Sequence, residues 1–146
     1  MNKHLMHLAL GLAAIGAVTA SQAGETAAKA AYYAAADKAA ADYRDAHAAC
    51  ETLDASLQAV CIEEAKLAQT RAKGNAEAHY RNTPQVRQKV NIDIANAEFS
   101  VARARCETRQ GSDRLACMQQ AEIARAAVIG AAKVGNKTVT AATEGR

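Results

Sequence analysis

The stretch from Cys50 to Cys61, CETLDASLQAVC, decides the fold, because a related stretch, CETRQGSDRLAC, lies 56 residues later between Cys106 and Cys117. Aligning residues 43–68 with residues 99–124 gives five identities that are not alanine. They are Cys50/Cys106, Glu51/Glu107, Thr52/Thr108, Ser56/Ser112 and Cys61/Cys117. Alanine-rich composition does not produce so many matches in one short stretch. The chain is therefore predicted to contain a duplicated helical hairpin.

The four cysteines predict two disulfide bonds. An even number of cysteines in a short exported chain is typical of a disulfide framework. Ten residues separate the cysteines of each pair, whereas the cysteine pairs of zinc sites are usually two to four residues apart. At the corner of an antiparallel hairpin, such positions face each other, which favours Cys50–Cys61 and Cys106–Cys117. Each bond is expected to contribute about 3 kcal/mol to stability. A 50–106 and 61–117 pairing is the competing possibility.

The first 23 residues have the layout of a secretory signal peptide. Lys3 precedes an apolar run from about residue 5 to residue 18, and small residues stand at the end of the segment. The run is shorter than the roughly 20 residues that a membrane-spanning helix needs, so cleavage is preferred over an uncleaved anchor. We expect cleavage between Ala23 and Gly24, which leaves a mature chain with 33 alanines among 123 residues.

This composition predicts an all-α fold with a thin core, because alanine has the highest helix propensity but buries little surface. Apolar residues recur at helical spacing in four segments. These four segments are predicted to be helices that pair into hairpin 1, at about 25–80, and hairpin 2, at about 84–134, within one helical domain over 24–134. Residues 135–146 lack this periodicity and are predicted to be a flexible tail. The four helices are expected to form either a bundle or an extended pair of hairpins.

Helix starts are predicted at three hydroxyl residues. Ser56, Thr83 and Ser112 each precede an apolar periodic segment, where a side-chain oxygen can accept a hydrogen bond from a free backbone N–H. Thr83 is followed by Pro84, which suits the first helical position. The helix that begins there carries two neighbouring apolar stripes, so it is expected to be the central helix of the fold.

With both corners in view, the chain resembles a group of uncharacterised, alanine-rich exported proteins of Gram-negative bacteria, some of them labelled TolA-like. Those proteins have a signal peptide and paired cysteines followed by helical sequence like Glu64-Ala65-Lys66. The second corner departs from this pattern, since Cys117 is followed by MQQAE. The resemblance implies a periplasmic location. It implies no activity.

Charge is unevenly distributed. Residues 24–64 contain eight acidic and three basic residues, and residues 65–146 contain seven acidic and fourteen basic ones. We prefer the interpretation that the two halves lie against each other. The alternative is that the basic half contacts a membrane or an envelope polysaccharide. Nucleic-acid binding is not expected, because the chain has neither a basic cluster nor an aromatic platform.

Few residues have the pattern of a catalytic or metal site. His47 with Asp45 and Asp54 is a conceivable surface metal site, but a histidine on a solvated helix face is commoner. Catalytic dithiols usually have a C-x-x-C spacing, which is absent.

We expect a non-enzymatic structural or protein-interaction protein without a cofactor, linked to envelope maintenance or stress, that binds a protein partner or itself. A periplasmic thiol-redox or metal-handling protein is the alternative.

Overall fold

The computed structural model describes residues 16–144, with side chains over 23–135, and this part of the chain is all-α. Its elements are α1 (Gly16–Cys50), α2 (Ala55–Arg81), α3 (Pro84–Glu107) and α4 (Gly111–Glu144). Short corners connect consecutive helices, so neighbours in sequence run antiparallel. The predicted fold class is confirmed.

The helices form an open array. α2 packs against α1 and α3, and α3 packs against α2 and α4. Across the described residues, α1 and α4 do not contact each other. Of the two expected arrangements, the helices therefore adopt the extended pair of hairpins, and they do not close into a bundle.

The third helix holds the largest share of the core. Within α3, Val90, Ala95, Val101, Ala104 and Cys106 are buried. The remaining buried residues in the described part of the chain are small ones on the other three helices: Ala39, Cys50, Ala65 and Ala121. The prediction that α3 is the central helix with a thin core around it is consistent with this distribution.

The two disulfide-bonded corners have nearly the same geometry. Cys50 bonds Cys61 with their Cα atoms 5.7 Å apart, and Cys106 bonds Cys117 with their Cα atoms 5.6 Å apart. The first cysteine of each pair is sealed from solvent, with 0% and 1% of its surface exposed, and the second is half-buried. The pairing predicted from hairpin geometry is therefore present at both corners.

A threonine ends the first helix of each hairpin in the same way. Thr52 Oγ1 donates to the carbonyl of Ala49 at 2.9 Å, and Thr108 Oγ1 donates to the carbonyl of Arg105 at 2.8 Å. These donors and acceptors are the aligned positions of the two corners. The hydrogen bonds satisfy carbonyls that the end of a helix leaves without an intrahelical partner.

The observed starts of the helices show that one of the three predicted caps is present and that two are wrong. Thr83 caps α3 as predicted, because its Oγ1 accepts a hydrogen bond from the backbone N–H of Val86 at 3.2 Å and Pro84 follows it. Ser56 does not cap α2, which begins earlier, at Ala55; the preceding Asp54 makes no side-chain cap either. Ser112 already lies inside α4, after Gly111 with its φ of +55°. Both helices begin before the serine, so its hydroxyl is not in the capping position.

The helix limits also differ from the prediction at the two ends of the chain. α4 remains helical to Glu144, where the sequence predicts a tail from residue 135. Gly135 costs a helix only about 1 kcal/mol relative to alanine, and no proline follows it. Residues 1–15 of the predicted signal peptide lie outside the described part of the chain, and the predicted cleavage site between Ala23 and Gly24 lies in α1, where both residues are exposed.

Candidate interaction surfaces

The interface between α2 and α3 joins the two hairpins. In this interface, α3 approaches Gly74 so closely that a Cβ atom there would lie 2.8 Å from Cγ1 of Val90. Val90 is buried and β-branched, so it has little freedom to move away. Gly74 is therefore the residue that sets the separation of α2 and α3 at this point.

Two cross-helix ion pairs border a shallow groove in the same interface. Arg71 bonds Glu98 and Arg105 bonds Glu64, each with a nitrogen–oxygen distance of 2.5 Å. The two pairs have opposite polarity, since α2 supplies a cation in one and an anion in the other. The apolar floor of the groove comes from both helices: Leu67, Ala68, Val101 and Ala102. All four charged side chains are substantially exposed, so the pairs orient the helices more than they stabilise them.

The end of hairpin 1 remote from its disulfide is closed by aromatic rings. Tyr32 of α1 stacks on Tyr80 of α2 with ring centroids 5.3 Å apart. Nearby, Lys89 of α3 donates to Asp93 at 2.6 Å, and this hydrogen bond is the main cause that raises the pKa of Lys89 above its ordinary value. The charge of Glu77 acts in the same direction. The ring stack joins α1 to α2, and at the same end of the molecule the charge of Glu77 on α2 acts on Lys89 of α3.

Hairpin 2 has no tyrosine at the two aligned positions, which are Gln88 and Asn136. A groove of about 500 Å³ lies between α3 and α4 in this region. Its lining includes Arg87, whose guanidinium donates to Oδ1 of Asn82 at 2.5 Å. This hydrogen bond holds the Arg87 side chain against the corner between α2 and α3. The groove is open and contains no buried charged side chain among the described residues, so it has the character of a surface channel.

The outward face of α4 carries large apolar side chains in contact with solvent. Leu115 is 73% exposed, and Ile123 and Val134 are each 63% exposed. The opposite face packs on α3 through Ala121 and through Arg125, whose guanidinium lies 5.2 Å from the centre of the Phe99 ring. No described helix covers the outward face. An exposed apolar patch of this kind is typical of an interaction surface.

The candidate metal residues are not brought together. Nδ1 of His47 lies 3.6 Å from a carboxylate oxygen of Glu51, and the imidazole and the Tyr43 ring meet edge to face with centroids 5.7 Å apart. Asp45 and Asp54 are exposed. Among the described residues, no group of three or more histidines, cysteines, aspartates or glutamates has the geometry to hold a metal ion.

All four cysteines are engaged in disulfides. In each bond the first cysteine is fully buried and the second is half-buried, and access to a sulfur atom controls how fast a thiolate can exchange with a disulfide. The burial favours a structural role for the bonds.

Comparison with protein-family models, with curated proteins and with solved structures gives no match. In the part of the chain that the structure describes, no helix is both long enough and apolar enough to cross a membrane. The function must therefore be argued from the surfaces themselves.

Two features that define these surfaces are not predicted from the sequence. They are the close approach of α3 to Gly74 and the exposed face of α4. The available signal was the spacing of Ile123, Ala127, Gly130 and Val134, which fall on one side of a helix. That stripe lies beside the stripe that packs on α3, and sequence periodicity alone does not say which of the two is covered.

Proposed function

We propose that the protein is a non-enzymatic structural or protein-interaction protein of the periplasm, with a role in envelope maintenance or stress. One observation carries the proposal: the open array leaves a long helix face with exposed Leu115, Ile123 and Val134 at the end of the molecule. Burial of apolar surface is the main driving force of protein association, so such a face is suited to a protein partner.

The disulfides support the periplasmic part of the proposal. Two bonds at equivalent corners need an oxidising compartment to form and persist. The N-terminal segment has the layout of a signal peptide, which gives an independent reason for export. A thin core makes both bonds important for stability, because alanine contacts alone bury little surface.

Cell fractionation followed by intact-mass measurement tests the location. The full chain, produced in a Gram-negative bacterium, is expected in the periplasmic fraction with Gly24 as its first residue. Reduction is expected to raise the mass by about 4 Da, because each disulfide takes up two hydrogens. A chain that keeps Met1 and stays in the cytoplasm would overturn the location.

Photo-crosslinking in intact cells tests the interaction role. A photoreactive side chain at Ile123, on the exposed face of α4, is compared with one at Asp37, an exposed position on α1. We expect specific protein adducts from position 123, with the contact residues on each side identified by mass spectrometry. If neither position gives a protein adduct while the chain is folded and periplasmic, the interaction role is wrong.

A further inference from the structure

The exposed face of α4 contains a stripe that is symmetric in size and spacing. The α4 stripe consists of Ile123, Ala127, Gly130 and Val134, which follow one another at intervals of 4, 3 and 4 residues. Its order is large, small, small, large, and the same order is obtained when the stripe is followed in the opposite direction. A surface that matches its own reverse is suited to an isologous contact, in which two copies use the same patch.

We propose that the α4 stripe binds the α4 stripe of a second copy of this chain, with the two helices antiparallel around a two-fold axis. In this arrangement Ile123 meets Val134 of the second copy at both ends. At the centre, Ala127 meets Gly130 of the second copy, and these small residues allow the helix backbones to approach closely. The intervals of three and four residues are those of the seam of a helix pair with knobs-into-holes packing.

The charges beside the stripe are complementary under the same symmetry. Glu122 and Lys133 lie on one side of the stripe, close to its two ends. Neither forms an ion pair with another described residue. When two copies pair antiparallel, Glu122 of each lies within about 3 Å along the helix axis of Lys133 of the other, because two residues of offset correspond to that rise. Two equivalent ion pairs then border the apolar contact.

The contact between α2 and α3 shows that this face of a hairpin can pack on a helix. The α4 stripe aligns with Leu67, Arg71, Gly74 and Ala78 of α2. Within that set, Leu67 is part of the floor of the groove between α2 and α3, and Gly74 makes the close approach to Val90. The equivalent face of α2 is therefore covered, and Gly130 of α4 has open space where Gly74 meets Val90.

A head-to-tail arrangement, with α4 of one copy on α1 of the next, fits less well. By the same alignment, the Arg71–Glu98 pair is replaced by Ala127 and Asp42, and the Glu64–Arg105 pair by Gln120 and Ala49. Both cross-helix ion pairs are lost. Asp42 already bonds Lys38 on its own helix, so α1 presents a polar surface where the array ends. The charges favour a closed dimer over an open chain of copies.

This inference rests on the proposed interaction role and names its partner. The two can fail separately. If the mature protein stays monomeric but position 123 crosslinks to a different protein in cells, the dimer is wrong and the interaction role stands.

Sedimentation equilibrium of the oxidised mature protein, over a wide concentration series, tests the dimer. We expect a monomer–dimer equilibrium for the unchanged protein and a monomer for Ile123→Glu. Leu57→Glu is the matched control, because Leu57 has a similar exposure of 57% but lies at the start of α2. Circular dichroism verifies that each variant is folded. A monomer at all concentrations for the unchanged protein, or an unaltered dimer for Ile123→Glu, overturns the proposal.

A charge exchange tests the antiparallel register. Glu122→Lys alone and Lys133→Glu alone each place like charges together twice, and each is expected to weaken the dimer about ten-fold at low salt. The double variant restores opposite charges and is expected to regain most of the affinity. If the double variant is as weak as the single ones, this register is wrong.

Discussion

α2 and α4 occupy equivalent places in the two hairpins but differ in what covers them. Each begins after a disulfide-bonded corner and packs on the preceding helix. α2 is covered a second time, by α3, whereas the aligned face of α4 is exposed. Gly74 and Gly130 mark this difference, since α3 approaches the first and open space surrounds the second. Because the two similar hairpins follow each other in sequence, the outer face of α2 is buried against α3, whereas the equivalent face of α4 has no described helix to cover it.

The largest expected effect comes from removing the disulfides one corner at a time. Replacing Cys50 and Cys61 by alanine, or Cys106 and Cys117 by alanine, is expected to cost about 3 kcal/mol in either case. The two losses should be similar, because both bonds close loops with a sequence separation of 11. Urea unfolding followed by circular dichroism measures both. If only one double variant loses stability, the corners are not equivalent, and if neither does, the bonds do not stabilise the fold.

The matched glycines test the covered and the exposed face directly. Gly74→Ala places a methyl group against buried Val90, and Gly130→Ala places one in open space. Both gain the same helix propensity, so the difference between them isolates the overpacking, which is expected to be about 1 to 3 kcal/mol.

Unfolding free energies should be compared at low protein concentration, where any dimer of α4 has dissociated. Val90→Ala combined with Gly74→Ala is the control, because it removes the atoms that the new methyl group would meet. If Gly74→Ala and Gly130→Ala have equal stability, α2 and α3 are farther apart than the structure shows.

The helix starts give a smaller contrast. Thr83→Ala removes the hydrogen bond to the backbone N–H of Val86 and is expected to cost about 1 kcal/mol. Ser56→Ala and Ser112→Ala are expected to change stability by less than about 0.5 kcal/mol, because neither hydroxyl is in a capping position. Thermal unfolding of the three variants compares them. A loss at Ser56 equal to that at Thr83 would restore the original cap prediction.

The smallest effect is expected at the ion pairs between α2 and α3. A double-mutant cycle of Arg71→Ala and Glu98→Ala is expected to give a coupling below about 1 kcal/mol, because both side chains are substantially exposed. The coupling should decrease as salt is added, since solvent ions screen exposed charges. A large, salt-independent coupling would mean that this interface depends on charge more than on the Gly74 contact.

Much of the fold could be predicted from the sequence because its strongest signals are local. The spacing of the cysteines, the Thr83-Pro84 pair and the apolar stripes of α3 each act within one helix or one corner. The two serine caps were wrong because a hydroxyl residue ahead of an apolar segment has the same local pattern whether it precedes the first helical residue or, as here, is the second residue of the helix. The prediction of a tail from residue 135 was wrong because an alanine-rich segment can be helical even when its apolar residues show little periodicity.

The candidate surface was harder to predict, because it depends on which helix face remains uncovered. Ile123 and Leu67 are aligned apolar residues with the same local sequence signal. Only the arrangement of the array shows that the first is exposed and the second is at an interface. That arrangement depends on contacts between helices, such as the contact of Gly74 with Val90. The periodicity of residues within one helix does not specify such contacts.

The restriction of contacts to consecutive helices also has a kinetic consequence. Every helix–helix contact in the described part of the chain joins elements that are adjacent in sequence. Contact order is therefore low, and folding rates rise as contact order falls, so rapid folding is expected once the bridges are formed. As in repeat proteins, unfolding can begin at either end. Amide hydrogen exchange should then be fastest in α1 and α4 and slowest in the central helices, with α3 the last to open.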